Sequence, residues 1–216
     1  MITRNLKQRL YTSIVLIALI ITIFYSKFFL LYSLIVLGVL SIIEFFGIIK
    51  KILKNKYFLI FLNSFFVFYI SIFCIFFFVL SNIIQFKIVL FILLCGCIAS
   101  DIGGFVIGKI FKGPKLTKVS PNKTISGSIG SLVFTTIIIL LMIYYYTSSF
   151  TINVIIISLI TSVSCQLGDL IFSFLKRKAK IKDTGNFFPG HGGVLDRLDG
   201  IIFGLPFGFI ILILLF

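Results

Sequence analysis

Charged side chains are scarce in this sequence, and tryptophan is absent from it. Only 12% of its 216 residues are charged, only six are Asp or Glu, and one is histidine. Because water-soluble domains carry about 25% charged residues, this scarcity argues against an ordinary soluble domain. A hydrophobic content of 60% places the chain among membrane proteins instead.

Metal-binding cysteine motifs are also missing. The four cysteines Cys74, Cys95, Cys97 and Cys165 lie inside apolar runs, and the only close pair has no second pair at metal-ligand spacing. We therefore interpret them as ordinary buried side chains. No small-residue cleavage site follows the first apolar run, so we expect no cleavable signal peptide.

Motifs of several other protein classes are lacking too. The glycines near Lys123 and Thr124 do not fit the Walker A pattern, and no Ser-His-Asp arrangement is recognisable. The net charge is +14, but the basic residues stand in short clusters between apolar runs. That distribution argues against nucleic-acid binding, because it is the one that membrane topology requires of cytoplasmic loops.

Apolar runs of about the length that crosses a bilayer recur along the chain. They cover residues 10–26, 28–49, 57–81, 88–108, 125–146, 152–174 and 201–216. The sequence therefore predicts an all-α polytopic membrane protein with about seven transmembrane helices. We divide it into N-terminal transmembrane helices, residues 1–99, and a C-terminal catalytic transmembrane domain, residues 100–216.

The distribution of positive charge predicts the orientation. With seven spans, the N-terminus and residues 50–56, 109–123 and 173–199 fall on one side, which then holds all but two of the twenty basic residues. The positive-inside rule makes this side cytoplasmic. Dividing the third run to give eight spans would break the agreement. We therefore expect a cytoplasmic N-terminus and a cytoplasmic catalytic loop at residues 173–199.

Three acids interrupt apolar runs, where a central Asp costs about 2.5–3.5 kcal/mol. Glu44, Asp101 and Asp169 each precede a lysine of the next basic cluster by six to eight residues. At about 1.5 Å per residue, they lie roughly 9–12 Å below that cluster. Either the helix ends protrude and the acids are hydrated, or the acids line a polar cavity that opens to the cytoplasm.

Residues 173–199 concentrate the polar groups of the C-terminal half. This segment holds three of the six acids, the only histidine and six of the twenty basic residues. In a helix, Asp196 and Asp199 would share one face, and together with Asp169 they would offer oxygen ligands suited to Mg²⁺. The other interpretation is that neighbouring Lys and Arg side chains simply neutralise these acids.

Two further features of this segment have two interpretations each. The basic run at residues 176–182 either anchors the preceding span or binds phosphate. Residues 189–193, Pro-Gly-His-Gly-Gly, form a turn whose backbone N–H groups are suited to an anion. His191 in this turn has either a structural role or a contact with substrate.

The same segment resembles the signature of the phosphatidate cytidylyltransferases. That signature runs Ser-x-apolar-Lys-Arg, four residues, Lys-Asp, then Pro-x-His-Gly-Gly-apolar-x-Asp-Arg-apolar-Asp, and every element of it is present here. Residues 6–9, 100–109, 120–127 and 168–170 also resemble the family. The chain departs from it in being short, in Ile102 where a small hydroxyl residue is usual, and at residues 125–126, Ile-Ser, where Trp-Glu is common.

The resemblance implies an enzyme of phospholipid biosynthesis that converts CTP and phosphatidate into CDP-diacylglycerol and pyrophosphate. It implies Mg²⁺ as cofactor, allows a second cation, and makes a homodimer in the bacterial cytoplasmic (inner) membrane the expected state, with the active site facing the cytoplasm. The implied catalytic residues are Asp169, Asp196, Asp199, Lys182 and Arg197, and the three aspartates hold the metal. The implied substrate-binding residues are Lys123, Thr124, Ser173, Lys176, Arg177, Asp183, His191 and Asp101.

Other functions remain as alternatives. A CTP-dependent polyprenol kinase would use the same nucleotide, whereas a CDP-alcohol phosphotransferase resembles a pattern beginning Asp-Gly-x-x-Ala-Arg, which this chain lacks. A small transporter would use acids to line a pathway. Transporters often contain inverted repeats, and no internal repeat is visible here.

Overall fold

A computed structural model describes residues 18, 21–117, 120, 123–185, 187 and 192–216. The helices whose bounds lie within these residues are numbered along the chain: α1 (Lys27–Ile52), α2 (Lys56–Leu80), α3 (Ile84–Phe111), α4 (Ile125–Thr147), α5 (Ile152–Lys178), α6 (Leu195–Leu198) and α7 (Ile201–Leu215). Six segments of these residues are long and apolar enough to cross a membrane, the sixth being Leu195–Leu215. The prediction of an all-α integral membrane protein is confirmed.

Six of the predicted spans coincide with helices α1 to α5 and α7, with ends that differ by at most four residues. The third predicted run forms one helix up to Leu80, without an internal division. The first predicted span, residues 10–26, lies mostly outside the described residues, although residues 21–25 are helical. The count of seven spans and the cytoplasmic N-terminus therefore stay predictions.

The predicted catalytic loop begins later than we expected from the sequence. Helix α5 continues to Lys178, so residues 173–178 are helical rather than part of a loop. Lys and Arg are good helix formers, and their positive charge is favourable at the C-terminal end of a helix. The basic run therefore extends the helix instead of ending it.

The chain divides into two compact units. The first unit comprises residues Met1–Asn82 and Leu175–Arg197, and the second comprises Ile83–Phe174 and Leu198–Phe216. The segment that carries the signature thus belongs mainly to the first unit, whereas Asp169 and Asp199 belong to the second. These units do not test the predicted division into N-terminal helices (residues 1–99) and a catalytic domain (residues 100–216), which stays a prediction.

In the first unit, α1 and α2 pack along an aromatic and sulfur-containing seam. The rings of Phe45 and Phe66 stack with centroids 3.8 Å apart, and Gly38 lies against Cys74, whose thiol donates to the carbonyl of Leu34 at 3.6 Å. The turn between the helices ends at Asn55, which caps α2. An Asn side chain at this position satisfies a backbone N–H that the first helical turn leaves without a partner.

In the second unit, α3 and α4 approach closely along rows of small residues. The rows repeat every four residues: Gly96, Ser100, Gly104 and Gly108 on α3, and Gly127, Ser131 and Thr135 on α4. A Cβ atom added at Gly104 would lie 2.6 Å from Oγ of Ser131, whose hydroxyl donates to the carbonyl of Ser100 at 2.7 Å. Small residues allow such backbone approach and hydrogen bonding between membrane helices.

Within the second unit, α7 packs on α3 and α5 in the same way. Its Gly204 lies against two cysteine side chains: an added Cβ atom would lie 2.8 Å from Sγ of Cys97 and 3.1 Å from Cβ of Cys165. Cys97 and Cys165 are buried, and Cys74 and Cys95 are half-buried. All four are free thiols in helices, and the expected full burial holds for Cys97 and Cys165 only.

Candidate functional site

In the second unit, Lys123 and Asp169 form an ion pair. Nζ of Lys123 lies 2.8 Å from Oδ2 of Asp169, and their side chains are 30% and 23% exposed. Asp169 projects from α5, and Lys123 stands just before α4. The fold thus brings together two predicted site residues that are 46 positions apart.

The loop before α4 holds Lys123 in place. The side chain of Thr124 accepts a hydrogen bond from the N–H of Gly127 at 3.1 Å and so caps α4. Lys115 and Thr124 form an isolated antiparallel bridge, and the N–H of Leu116 donates to the carbonyl of Lys123 at 2.8 Å. Thr124 therefore has a structural role in positioning Lys123, whatever else it contacts.

Asp199 lies beside the residue that precedes Asp169. It is buried, with 8% exposure, and its Oδ1 accepts the N–H of Gly200 at 3.0 Å. Its carbonyl packs so closely on Gly168 that a Cβ atom there would overlap it, and a Cβ atom at Gly200 would lie 3.4 Å from Oδ1 of Asp169. Glycine at both positions thus allows the chain segments of the two acids to pack together.

In the first unit, both carboxylate oxygens of Asp196 accept hydrogen bonds from protein groups. Nζ of Lys176 lies 2.7 Å from its Oδ1, and these side chains are only 12% and 8% exposed. Its Oδ2 accepts the N–H groups of Thr184 and Gly193 at 2.8 and 3.0 Å, and the hydroxyl of Thr184 lies 3.0 Å away. Neutralisation by a neighbouring lysine, one of the two sequence interpretations, describes this carboxylate.

Glu44 is a second engaged carboxylate of the first unit, and sequence reasoning did not include it among the site residues. From α1 it reaches the signature segment: its Oε1 accepts the N–H of Val194 at 2.9 Å. Its Oε2 accepts the N–H of Leu195 at 2.8 Å and the hydroxyl of Thr184 at 2.6 Å. The sequence signal for it was an acid inside an apolar run.

The two carboxylates explain why the signature contains consecutive glycines. A Cβ atom at Gly193 would overlap both the hydroxyl of Thr184 and the carboxylate of Glu44. Gly192 has a φ of +83°, which is strained for other residues, and an added Cβ atom would lie 2.9 Å from Oδ2 of Asp196. The glycines therefore make room for acids as well as turning the chain.

The remaining predicted site residues differ in exposure. Ser173 is half-buried, His191 lies outside the described residues, and five others are exposed: Asp101, Arg177, Lys182, Asp183 and Arg197.

The acids fit a magnesium ion unequally. Within the described part of the chain, no three Asp, Glu, His or Cys side chains gather as a metal-binding group. Asp169 and Asp199 offer the carboxylate oxygens that Mg²⁺ prefers. At Asp196, Oδ2 already accepts the N–H groups of Thr184 and Gly193, and Oδ1 is paired with the Lys176 ammonium, with which a cation would compete.

Comparison with known proteins gives a family match over nearly the whole chain and matches to curated relatives over about half of it. A sequence model of the cytidylyltransferase family matches residues 2–215. A Helicobacter pylori (strain J99) protein named phosphatidate cytidylyltransferase is 38% identical over 112 residues, which are 52% of this chain and 42% of that protein. Proteins of the same name from Bacillus subtilis (strain 168) and Rickettsia felis are 39% identical over 118 residues and 41% identical over 133 residues.

The alignments with these relatives cover only part of each protein. They cover 54% of this chain and 44% of the Bacillus subtilis protein, and 57% of this chain and 59% of the Rickettsia felis protein. The chain therefore spans about half the length of the curated relatives it matches.

Proposed function

Because the chain belongs to the cytidylyltransferase family, we propose that it transfers a cytidylyl group from CTP to phosphatidate, giving CDP-diacylglycerol and pyrophosphate. The observation that carries the proposal is the complete signature at residues 173–199 within a family match over residues 2–215. Relatives that are about 40% identical bear the name of this activity. The resemblance of the sequence to the family is confirmed.

The proposed reaction needs positioning and charge neutralisation more than acid–base chemistry. A phosphate oxygen of phosphatidate attacks the α-phosphorus of CTP in line, a new P–O bond forms, and the bond to the β-phosphate breaks with release of pyrophosphate. Because the attacking phosphate is already ionised at pH 7, no general base is required. The absence of a recognisable nucleophile–base arrangement in the sequence is consistent with this chemistry.

Basic side chains neutralise the phosphates in this proposal. Lys123 exchanges its partner Asp169 for a phosphate, and Arg177, Lys182 and Arg197, which are exposed in the signature segment, contact the nucleotide or the leaving pyrophosphate. Guanidinium groups bind phosphate through paired hydrogen bonds. Further substrate contacts come from Thr124, Ser173, Asp183, His191 and Asp101, as predicted from the sequence.

Mg²⁺, when bound, neutralises triphosphate charge and holds the phosphates in place. Asp169 and Asp199, whose chain segments pack together at Gly168 and Gly200, are proposed as ligands. Asp196 completes the predicted set of three only if the cation replaces the Lys176 ammonium at its Oδ1, which would also release Lys176 toward a phosphate. A second cation would share the same acids.

The proposed location is a bacterial cytoplasmic membrane, with the N-terminus and the signature segment on the cytoplasmic side. The asymmetry of positive charge supports this orientation. Phosphatidate then enters from the lipid leaflet while CTP arrives from the cytoplasm. A homodimer is part of the proposal by family resemblance.

A product assay with the purified chain in phosphatidate-containing vesicles tests the function. With CTP labelled at the α-phosphate and Mg²⁺ titrated, we expect labelled CDP-lipid, and with the γ-phosphate labelled we expect labelled pyrophosphate. Label from the γ-phosphate on a lipid alcohol would instead indicate a kinase. Vesicles that stay unlabelled with both nucleotides would contradict nucleotidyl transfer.

A further inference from the structure

Three donors of the signature segment converge on the carboxylate of Glu44. They are the backbone N–H groups of Val194 and Leu195 and the hydroxyl of Thr184, all between 2.6 and 2.9 Å from an Oε atom. Two of these donors are backbone groups at the beginning of α6, the helix that carries Asp196 and Arg197. Glu44 thereby fixes where this helix starts.

The backbone around Glu44 is shaped to receive its carboxylate. A Cβ atom added at Gly185 would lie 2.6 Å from Oε1, and one at Gly193 would overlap Oε2. Two separate parts of the segment thus have glycine where they meet the same acid. This close approach is independent of the hydrogen bonds and shows that the loop is built around Glu44.

Thr184 links Glu44 to Asp196. Its hydroxyl lies 2.6 Å from Oε2 of Glu44 and 3.0 Å from Oδ2 of Asp196, and its N–H donates to the latter atom. Because a hydroxyl has one hydrogen, it donates to one carboxylate at a time, and the shorter distance favours Glu44. The backbone N–H then holds Asp196, so both acids depend on the position of one residue.

We propose that Glu44 is a positioning residue for the reaction: from α1 it holds Thr184 and the start of α6, and so orients Asp196, Lys176 and Arg197. The inference rests on the proposed function, since it names a further residue of the same site. Only a carboxylate suits the position, because three donors meet two oxygens. A Gln amide would present its own N–H groups to at least one of these donors.

Glu44→Gln tests the proposal with two readouts on the full-length purified protein. We expect kcat for cytidylyl transfer to fall at least tenfold while KM for phosphatidate changes less than twofold. We expect amide hydrogen exchange, followed by mass spectrometry, to become at least tenfold faster in peptides spanning residues 183–198. Peptides of α1 and α2 should exchange as in the wild type.

Gly47→Ala is the matched control, because it lies on the same helix and an added Cβ atom meets nothing within 4 Å. We expect wild-type turnover and exchange from it. The pair Thr184→Val and Thr184→Ser tests the hydroxyl: Val should lower kcat, and Ser, which keeps the donor, should restore it to within threefold of the wild type. If Glu44→Gln speeds hydrogen exchange throughout the protein, the two Thr184 variants still test the positioning role.

The outcomes separate this proposal from the proposed function. Unchanged exchange of residues 183–198 in Glu44→Gln would overturn the positioning role, as would faster exchange without a loss of turnover. Equal activities of Thr184→Val and Thr184→Ser would also overturn it. If the wild type transfers no cytidylyl group, the proposed function fails, and so does the catalytic part of this inference, while the exchange experiment still shows whether Glu44 holds the segment.

Discussion

Glu44 and Asp196 of the first unit and Asp169 of the second unit are held by different kinds of donor. Glu44 and Asp196 are bound largely by backbone N–H groups, those of Thr184, Gly193 and two adjacent residues. Asp169 is bound by the side chain of Lys123. The donors to Glu44 and Asp196 are therefore mostly fixed in the backbone, whereas the donor to Asp169 is a flexible ammonium group.

This difference separates acids that hold structure from acids that are suited to exchange partners. A backbone donor cannot leave its acceptor unless the loop moves, whereas a lysine ammonium on four methylene groups can swing to another anion. In the proposed reaction, the partly exposed Lys123–Asp169 pair opens for a nucleotide phosphate and a cation. We therefore expect substitutions in the two units to differ in their effects on turnover and on hydrogen exchange.

The largest effect is expected from Asp169→Asn. The substitution keeps the shape of the side chain but removes its negative charge, and loss of an electrostatic stabiliser costs about 10²–10³ in kcat, roughly 3 kcal/mol. We expect at least a hundredfold lower turnover with hydrogen exchange of residues 183–198 unchanged. Turnover within tenfold of the wild type would remove Asp169 from the reacting site.

A smaller loss, about tenfold or more in turnover, is expected from Gly193→Ala. The new methyl group would overlap the hydroxyl of Thr184 and the carboxylate of Glu44, so the signature segment must move away from α1. Faster exchange in residues 183–198 should accompany the loss, with Gly47→Ala as control. If hydrogen exchange of these residues in Gly193→Ala equals that of the wild type, glycine is not needed at this position to accommodate Glu44.

The smallest effect is expected from Lys123→Met, which keeps the length of the side chain and removes its charge. A partly exposed ion pair contributes about 0–1 kcal/mol, so the melting temperature should change little. We expect KM for CTP to rise several-fold and Lys123→Arg to restore most of the affinity. A large fall in stability would show that the pair is structural, like Lys176–Asp196.

The helices were largely predictable because a membrane imposes a strong pattern on them. Apolar length alone located α1 to α5 and α7. The close packing of α3 and α4 was also visible, as small residues every four positions from Gly96 to Gly108, but our sequence analysis did not use that spacing. The end of α5 was misplaced by four residues, because basic residues mark a membrane boundary and not a helix end.

The candidate site was predictable in its residue types and less so in its partners. The signature and the intramembrane acids identified Asp169, Asp196 and Lys176. The fold pairs Asp196 with Lys176 and Asp169 with another predicted residue, Lys123. The role of Glu44 was not predictable, because 150 residues separate it from Val194. A single sequence contains no signal that joins an acid on α1 to backbone N–H groups of a distant loop.

Titration with Mn²⁺ alone, a magnesium substitute that prefers oxygen ligands, tests the division between the two groups of acids most directly. Bound Mn²⁺ would be measured by electron paramagnetic resonance on the wild type, Asp169→Asn and Glu44→Gln, without nucleotide. We expect Asp169→Asn to raise the dissociation constant for Mn²⁺ at least tenfold and Glu44→Gln to stay within threefold of the wild type. Weaker binding in Glu44→Gln than in Asp169→Asn would contradict this division.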